Sequence, residues 1–137
     1  MSRFIKIGSD GAQLAQDAAE WVAVLDTKQG LMFTVAESKE MEQPEAVEYV
    51  KTLKVGMFSD WRLPSVEELF LLADRSRHSP AIDTEYFPAC KSDWYWTETR
   101  AAYSPGVFAW YVSFYDGGAS WGVQGYGGFV RACRPGQ

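Results

Sequence analysis

The chain has 137 residues, 47% of them hydrophobic and 23% charged, so it fits one ordinary globular domain over residues 1–137. Thirteen basic and eighteen acidic residues give a net charge of −5, which disfavours binding to nucleic acid or other polyanions. No uncharged apolar run approaches the roughly 20 residues that cross a bilayer. We therefore expect neither a nucleic-acid partner nor membrane insertion.

The N-terminal sequence MSRFIKIGSDGAQ lacks the apolar run and the small-residue cleavage site of a secretory signal. This observation leaves three locations open. The protein acts in the cytoplasm, belongs to a phage particle, or reaches a cell surface after a leader has been trimmed away.

A β-hairpin is the first element that the sequence predicts. Residues Trp21–Val35 contain two apolar stretches, separated by the polar sequence DTKQG, which ends at Gly30. A polar segment that ends in glycine favours a hairpin loop of about four or five residues.

The first predicted helix covers Pro44–Leu53. Proline is favoured in the first turn of a helix, and Ala46, Val47 and Val50 follow it at helical spacing. This spacing places one apolar face on the core.

The second predicted helix covers Val66–Asp74. Ser65 precedes Glu68 by three residues, which is the spacing of a capping box. Apolar residues then recur at helical period along the segment.

Strands are predicted for the rest of the chain, over Trp94–Trp96, Phe108–Tyr115, Ala119–Val123 and Gly128–Arg134. In the second of these, alternation places four large side chains on one face, which we expect to be core: Phe108, Trp110, Val112 and Phe114. The sequence DGG after this strand predicts a turn and an antiparallel return.

Residues 93–134 hold twelve of the 21 aromatic residues and seven of the twelve glycines. One interpretation is architectural, because large rings fill a small core and glycine permits tight turns. The other is functional, because Trp121 and Tyr126 lie beside glycines in segments with little mass to bury them. Exposed tyrosine and tryptophan give rigid contact area in recognition loops.

The two cysteines, Cys90 and Cys133, have no CxxC spacing and no histidine nearby. A disulfide, a redox pair and two buried thiols are all open. We favour two buried thiols, because free cysteine behaves as a small hydrophobe and nothing in the sequence indicates an oxidising compartment.

Several motifs along the chain resemble the signatures of one family. They are DTKQGLMF, SDWRLPSVEEL, SPAIDTEYFP, WYWTET, FAWYVSFYDG and FVRACR. Together they resemble the Lcl C-terminal domain family, named for a bacterial collagen-like adhesin, over about residues 22–134. The SDWRLPSVEEL block is the specific part, and we interpret it as scaffold, with Arg62 forming forked hydrogen bonds to carbonyls or a carboxylate.

The resemblance implies an α+β domain of the C-type lectin-like fold, with two helices packed on twisted antiparallel β-sheets. It also implies a non-catalytic, adhesin-like or receptor-recognition module of a bacterial or phage protein. In related lectin-like proteins, some diversified by retroelements, C-terminal strands and loops carry the variable ligand contacts. By position, the ligand-binding residues here are Glu98, Arg100, Tyr103, Tyr115, Ser120, Trp121, Gln124 and Tyr126.

The expected ligand is a protein or a neutral glycan, because a net charge of −5 argues against the sulfated polysaccharides that the adhesin favours. No cofactor is expected. Calcium is a weaker alternative, since the sugar-binding lectin motifs are missing and only Asp93, Glu98 and Asp116 offer oxygen ligands. The family's frequent cysteine falls on Ala132, so no lectin-type disulfide carries over.

Two other functions stay open at this point. One is an assembly role in a homo-oligomeric fibre or tail, where the aromatic surface meets a neighbouring subunit. The other is an oxidase like the formylglycine-generating enzymes, which requires Cys90 and Cys133 to lie close together.

Overall fold

The computed structural model describes residues 2–136. The strands are β1 (Phe4–Ile7), β2 (Ala23–Asp26), β3 (Leu31–Thr34), β4 (Trp94–Arg100), β5 (Phe108–Ser113), β6 (Ala119–Val123) and β7 (Cys133–Pro135), and the helices are α1 (Gln43–Val50) and α2 (Val66–Leu72). Both helices lie between β3 and β4.

The strands form two sheets. One has four strands in the order β1-β2-β3-β7, and the other has three in the order β4-β5-β6. Every neighbouring pair is antiparallel. The predicted α+β class with two helices and antiparallel sheets is confirmed, and the finer assignment to the C-type lectin-like fold stays a prediction.

The predicted hairpin is formed by β2 and β3. Gly30 has φ +68°, and its N–H donates to the Asp26 carbonyl over 2.8 Å, which closes the turn. Strand β1 pairs with β2 and was not predicted, because four residues carry little pattern.

Both predicted helices are present, and both end earlier than expected. After α1, backbone N–H groups donate to carbonyls three residues earlier and not four, as Thr52 N–H does to the Tyr49 carbonyl (3.0 Å). Regular α-helix therefore stops at Val50. Helix α2 stops at Leu72, because Ala73 is extended. Neither helix of residues 2–136 has the length and apolarity to cross a membrane.

The prediction of a strand over Gly128–Arg134 is mostly wrong, because β7 covers only Cys133–Pro135. Only β7 pairs with β3. Gly128 and Phe129 form isolated bridges to Met41 and Tyr95, because the chain passes between the two sheets there and does not extend either one.

Core side chains lie on both faces of the three-stranded sheet. Along β4, Tyr95 enters one buried cluster with α2, and Trp96 enters a second cluster with α1. Along β5, Val112 lies in the first cluster and Ala109 in the second. The prediction of a single core face on β5 is therefore wrong, because each face of this sheet is covered by a different helix.

A buried ion pair connects the two sheets. The Arg131 guanidinium is fully buried and donates to Glu37 over 2.7 Å and to the Thr34 carbonyl over 2.9 Å. The Tyr95 hydroxyl donates to the other Glu37 oxygen. Burial raises the pKa of Tyr95, and the Glu37 carboxylate acts in the same direction while Arg131 opposes it, so the hydroxyl keeps its proton and remains a donor.

We expect Glu37→Ala to lower the free energy of unfolding by about 3–5 kcal/mol, because it leaves the Arg131 charge buried and unpaired. The matched control is Glu48→Ala, which breaks an exposed pair with Lys51 and is expected to change stability by less than about 0.5 kcal/mol. Urea unfolding followed by tryptophan fluorescence measures both. Equal losses in the two variants contradict the prediction.

Candidate functional site

Large rings emerge on one face of the three-stranded sheet beyond the cover of α2. Strand pairing sets Trp110 opposite Trp121 and Phe108 opposite Val123, and directly paired side chains share a face. Trp121 is 41% exposed and Tyr103, in the loop between β4 and β5, is 69% exposed. We name Tyr103, Phe108, Trp110 and Trp121 the aromatic patch.

Three rings of the aromatic patch, those of Tyr103, Phe108 and Trp121, pack against one another. The Trp121 ring meets Phe108 and Tyr103 edge to face, with centroids 5.1 Å and 5.7 Å apart. Tyr103 also stacks on Phe108 at 6.2 Å. Such contacts stabilise an aromatic cluster while its outer surface stays open to solvent.

The structure corrects the expectation for Phe108 and Trp110. Both were predicted to be core, and both are only half-buried and lie outside the two buried clusters. Val112 and Phe114 on the same face are buried as predicted. The face changes from core to surface along one strand because α2 covers only the end near Val112.

Gln124 does not belong to the displayed surface. Its side chain is buried and donates to the carbonyls of Pro105 (2.9 Å) and Phe108 (3.3 Å). Its backbone N–H donates to the Val107 carbonyl over 2.8 Å. The predicted ligand contact is therefore a support that fixes the loop carrying Tyr103.

Ser120 and Tyr126 lie away from the aromatic patch. Ser120 is exposed on the opposite face of β6, because neighbouring residues of a strand alternate. Tyr126 is 56% exposed, and its ring lies 6.1 Å from Trp94, which also belongs to the opposite face. Trp94 stacks on Tyr111 at 3.8 Å.

Gly122 permits this packing on the opposite face. A Cβ atom at Gly122 would lie 2.8 Å from the Trp94 ring, so only glycine lets the indole lie against β6. Trp94 is half-buried against the second core cluster and Trp96 is fully buried. Both tryptophans therefore contribute to the packing of this face.

The remaining predicted residues are further dispersed. Tyr115 is 57% exposed and follows β5, where Ser113 is already about 10 Å from Trp110 at the usual rise per residue. Arg100 is exposed and pairs with Ala109, so it points to the face opposite Trp110. Glu98 is exposed in the bulged part of β4. Of the eight predicted residues, the structure brings only Tyr103 and Trp121 into ring contact.

Two ion pairs involve the SDWRLPSVEEL block, Arg62 with Glu68 and Arg134 with Asp60, and we name them the clamps. Arg62 donates to both carboxylate oxygens of Glu68 over 2.8 Å and 2.9 Å, and Glu68 completes the capping box with Ser65. Hydrogen bonds from Arg62 hold the pKa of Glu68 below its usual value. Asp60 accepts from Arg134, 2.6 Å away. The block is scaffold, as predicted.

The family model of the Lcl C-terminal domain matches residues 22–134. The chain belongs to this family. The matched segment contains the clamps and the aromatic patch. Among curated proteins, none matches the chain.

Two grooves of this Lcl domain lie elsewhere and were missed by sequence reasoning. They measure about 720 Å³ and 560 Å³, and both are lined by Trp21, Val22 and Val35. The Trp21 ring is already engaged, with the Lys6 ammonium 3.9 Å from its centroid and its own N–H donating to the Tyr86 carbonyl. We prefer the aromatic patch as the candidate site, because its rings present free surface.

Both cysteine thiols are buried and unpaired in the described chain, as the favoured interpretation predicted. Burial raises the pKa of Cys90, and it raises the pKa of Cys133 to about 12. Both groups are thiols at neutral pH, and a thiol is a poor nucleophile compared with a thiolate.

The buried thiol of Cys133 predicts a loss of stability at high pH. The folded state keeps this proton up to a pH of about 12, whereas an unfolded cysteine releases it near pH 8.5. Between these values the free energy of unfolding is expected to fall by up to about 1.4 kcal/mol per pH unit from this group. Urea unfolding at pH 8 to 11 measures the slope, and Cys133→Ala should make it shallower. An unchanged slope in that variant contradicts the assignment.

The role of Gln124 is tested by stability. Gln124→Ala removes the side-chain donor of the Pro105 carbonyl, whereas the Phe108 carbonyl keeps the Ala101 N–H at 3.0 Å, and the change is expected to lower the free energy of unfolding by about 1–3 kcal/mol. Ser120→Ala is the control, an exposed change nearby that is expected to stay within about 0.5 kcal/mol. If Gln124→Ala proves as neutral as Ser120→Ala, Gln124 is no support.

Proposed function

We propose that this domain is a non-catalytic recognition module, adhesin-like or receptor-recognising, that binds a protein or a glycan through the aromatic patch. The observation that carries the proposal is the exposure of Trp121, on strand β6, and of Tyr103, in the neighbouring loop, in mutual edge-to-face contact. Rigid rings of this kind lose little conformational entropy on binding. Membership of a family named for an adhesin domain supports the same conclusion.

The electrostatics of the chain favour a neutral ligand. The overall charge is −5, so a sulfated or phosphorylated ligand is repelled at long range. The four residues of the aromatic patch carry no charge. Binding here therefore depends on ring contact and on the release of water from apolar surface.

The non-catalytic part of the proposal is supported by the two thiols. An enzyme of the formylglycine-generating type needs a reactive cysteine pair, and burial raises the pKa of both thiols here. Their neighbours in the first core cluster, Tyr95 and Phe87, suit packing.

An assembly role is the second candidate, because Trp121 lies on the outer strand of its sheet, where a neighbouring subunit has access. A homo-oligomer that covers Trp121 makes this ring unavailable to a ligand and so contradicts the recognition proposal. Sedimentation equilibrium at several concentrations separates the two candidates, since the recognition proposal requires that Trp121 stay accessible.

Screening of glycan and surface-protein arrays tests the proposed function. For whichever ligand binds, Trp121→Ala is expected to weaken affinity at least about 30-fold, because exposed tryptophans at the centre of an interface are typical hot spots worth about 2 kcal/mol or more.

Tyr126→Ala is the matched control, since it removes an exposed ring from the opposite face of the sheet. It is expected to change affinity less than threefold. Wild-type binding by both Trp121→Ala and Tyr103→Ala would refute the aromatic patch as the site.

A further inference from the structure

The outer strand β6 has a free backbone edge. Ser113 N–H donates to the Gly118 carbonyl and Gln124 N–H to the Val107 carbonyl, both over 2.8 Å. Because bonded pairs alternate along an antiparallel ladder, the even-numbered residues of β6 are the ones bonded to β5. Ala119, Trp121 and Val123 therefore direct their N–H and C=O groups away from the sheet.

These outward groups are almost entirely unpaired within residues 2–136. One of them is used, the Val123 carbonyl, which accepts from Tyr126 N–H at 3.0 Å. The strand sequence ASWGV contains no charge and no proline. Folded proteins normally protect an outer strand with lysine, proline or a bulge, because an unprotected edge pairs with another chain.

An apolar groove runs beside this edge. It measures about 330 Å³ and lies between α2 and β6, lined by Val66, Phe70, Leu71 and Ala119 together with Glu67. Phe70 and Leu71 are 37% and 44% exposed. The groove is on the face of the aromatic patch, because Ala119 and Trp121 are two residues apart on one strand.

The opposite face of β6 has a different character. It carries Ser120, which is small and exposed, and Gly122, which lies under the Trp94 ring. If a further strand pairs with β6, its alternate side chains lie over the apolar groove and the aromatic patch. The side chains between them lie over Ser120 and Gly122, which are small.

We infer that the domain binds an extended polypeptide segment of a partner protein, which pairs with β6 and places apolar side chains at alternate positions over the groove and the aromatic patch. The inference rests on the proposed function and specifies its ligand. A polypeptide matches donors and acceptors that repeat every second residue, which a glycan does not. A second copy of the chain is disfavoured, because both copies carry a charge of −5.

The test uses a random dodecapeptide library displayed on phage, selected on the immobilised 137-residue chain. Enriched peptides are expected to carry apolar residues with a period of two. Each selected peptide is then synthesised with single backbone N-methyl groups. Methylation at alternate residues should weaken binding at least tenfold, and methylation at the residues between them less than threefold.

On the protein, Ala119→Pro removes one outward N–H and keeps the apolar surface, and proline is tolerated at the first residue of a strand. We expect at least a tenfold loss of peptide affinity. The control Ala119→Val keeps the N–H group and should bind within threefold of wild type. Val123→Pro repeats the test at the other end of β6, and thermal unfolding verifies that each variant is folded.

Several results overturn the inference. They are no enriched motif, no alternation in the methyl scan, or full peptide binding by folded Ala119→Pro and Val123→Pro. A wild-type dimer that Ala119→Pro dissociates also overturns it, since a second copy then occupies the edge. A glycan that is lost with Trp121→Ala and kept with Ala119→Pro leaves the proposed function standing and removes this inference alone.

Discussion

The buried pair of Arg131 and Glu37 is the interaction on which the arrangement of the two sheets depends. The guanidinium is also 5.0 Å and 5.2 Å from the ring centroids of Phe87 and Tyr95, so its charge is shared among an acid, carbonyls and aromatic faces. A buried charge is tolerated only when it is compensated in this way. The pair fixes the segment that leads into β7 and thereby the position of β4.

The three-stranded sheet shows how one strand serves both core and surface. Helix α2 covers the end of β5 near Val112, and the same face emerges as the aromatic patch near Phe108. On the other face, Trp94, Tyr111 and Gly122 pack so closely that an added methyl group would collide with the indole. The exposed rings are therefore held by a rigid layer beneath them, which suits recognition without rearrangement.

Local signals accounted for much of the fold. The hairpin closed by Gly30, the capping box of Ser65 and Glu68, and the return at DGG each depend on residues within a few positions of one another, and all three are present. Predictions that depended on distant partners were less accurate. The segment before β7 looks like a strand by composition, but its side chains enter a buried network with residues almost 100 positions earlier.

The predictions for the candidate site show the same difference between local signals and distant contacts. Residue types and short spacings were sufficient to assign the family, to predict the scaffold role of SDWRLP and to indicate rings near Trp121. Which of these rings are displayed depends on long-range packing. The tertiary structure removed Gln124, added Phe108 and Trp110, and separated Tyr115 and Tyr126 from Trp121, because exposure is set by where α1, α2 and the loops cover the sheet.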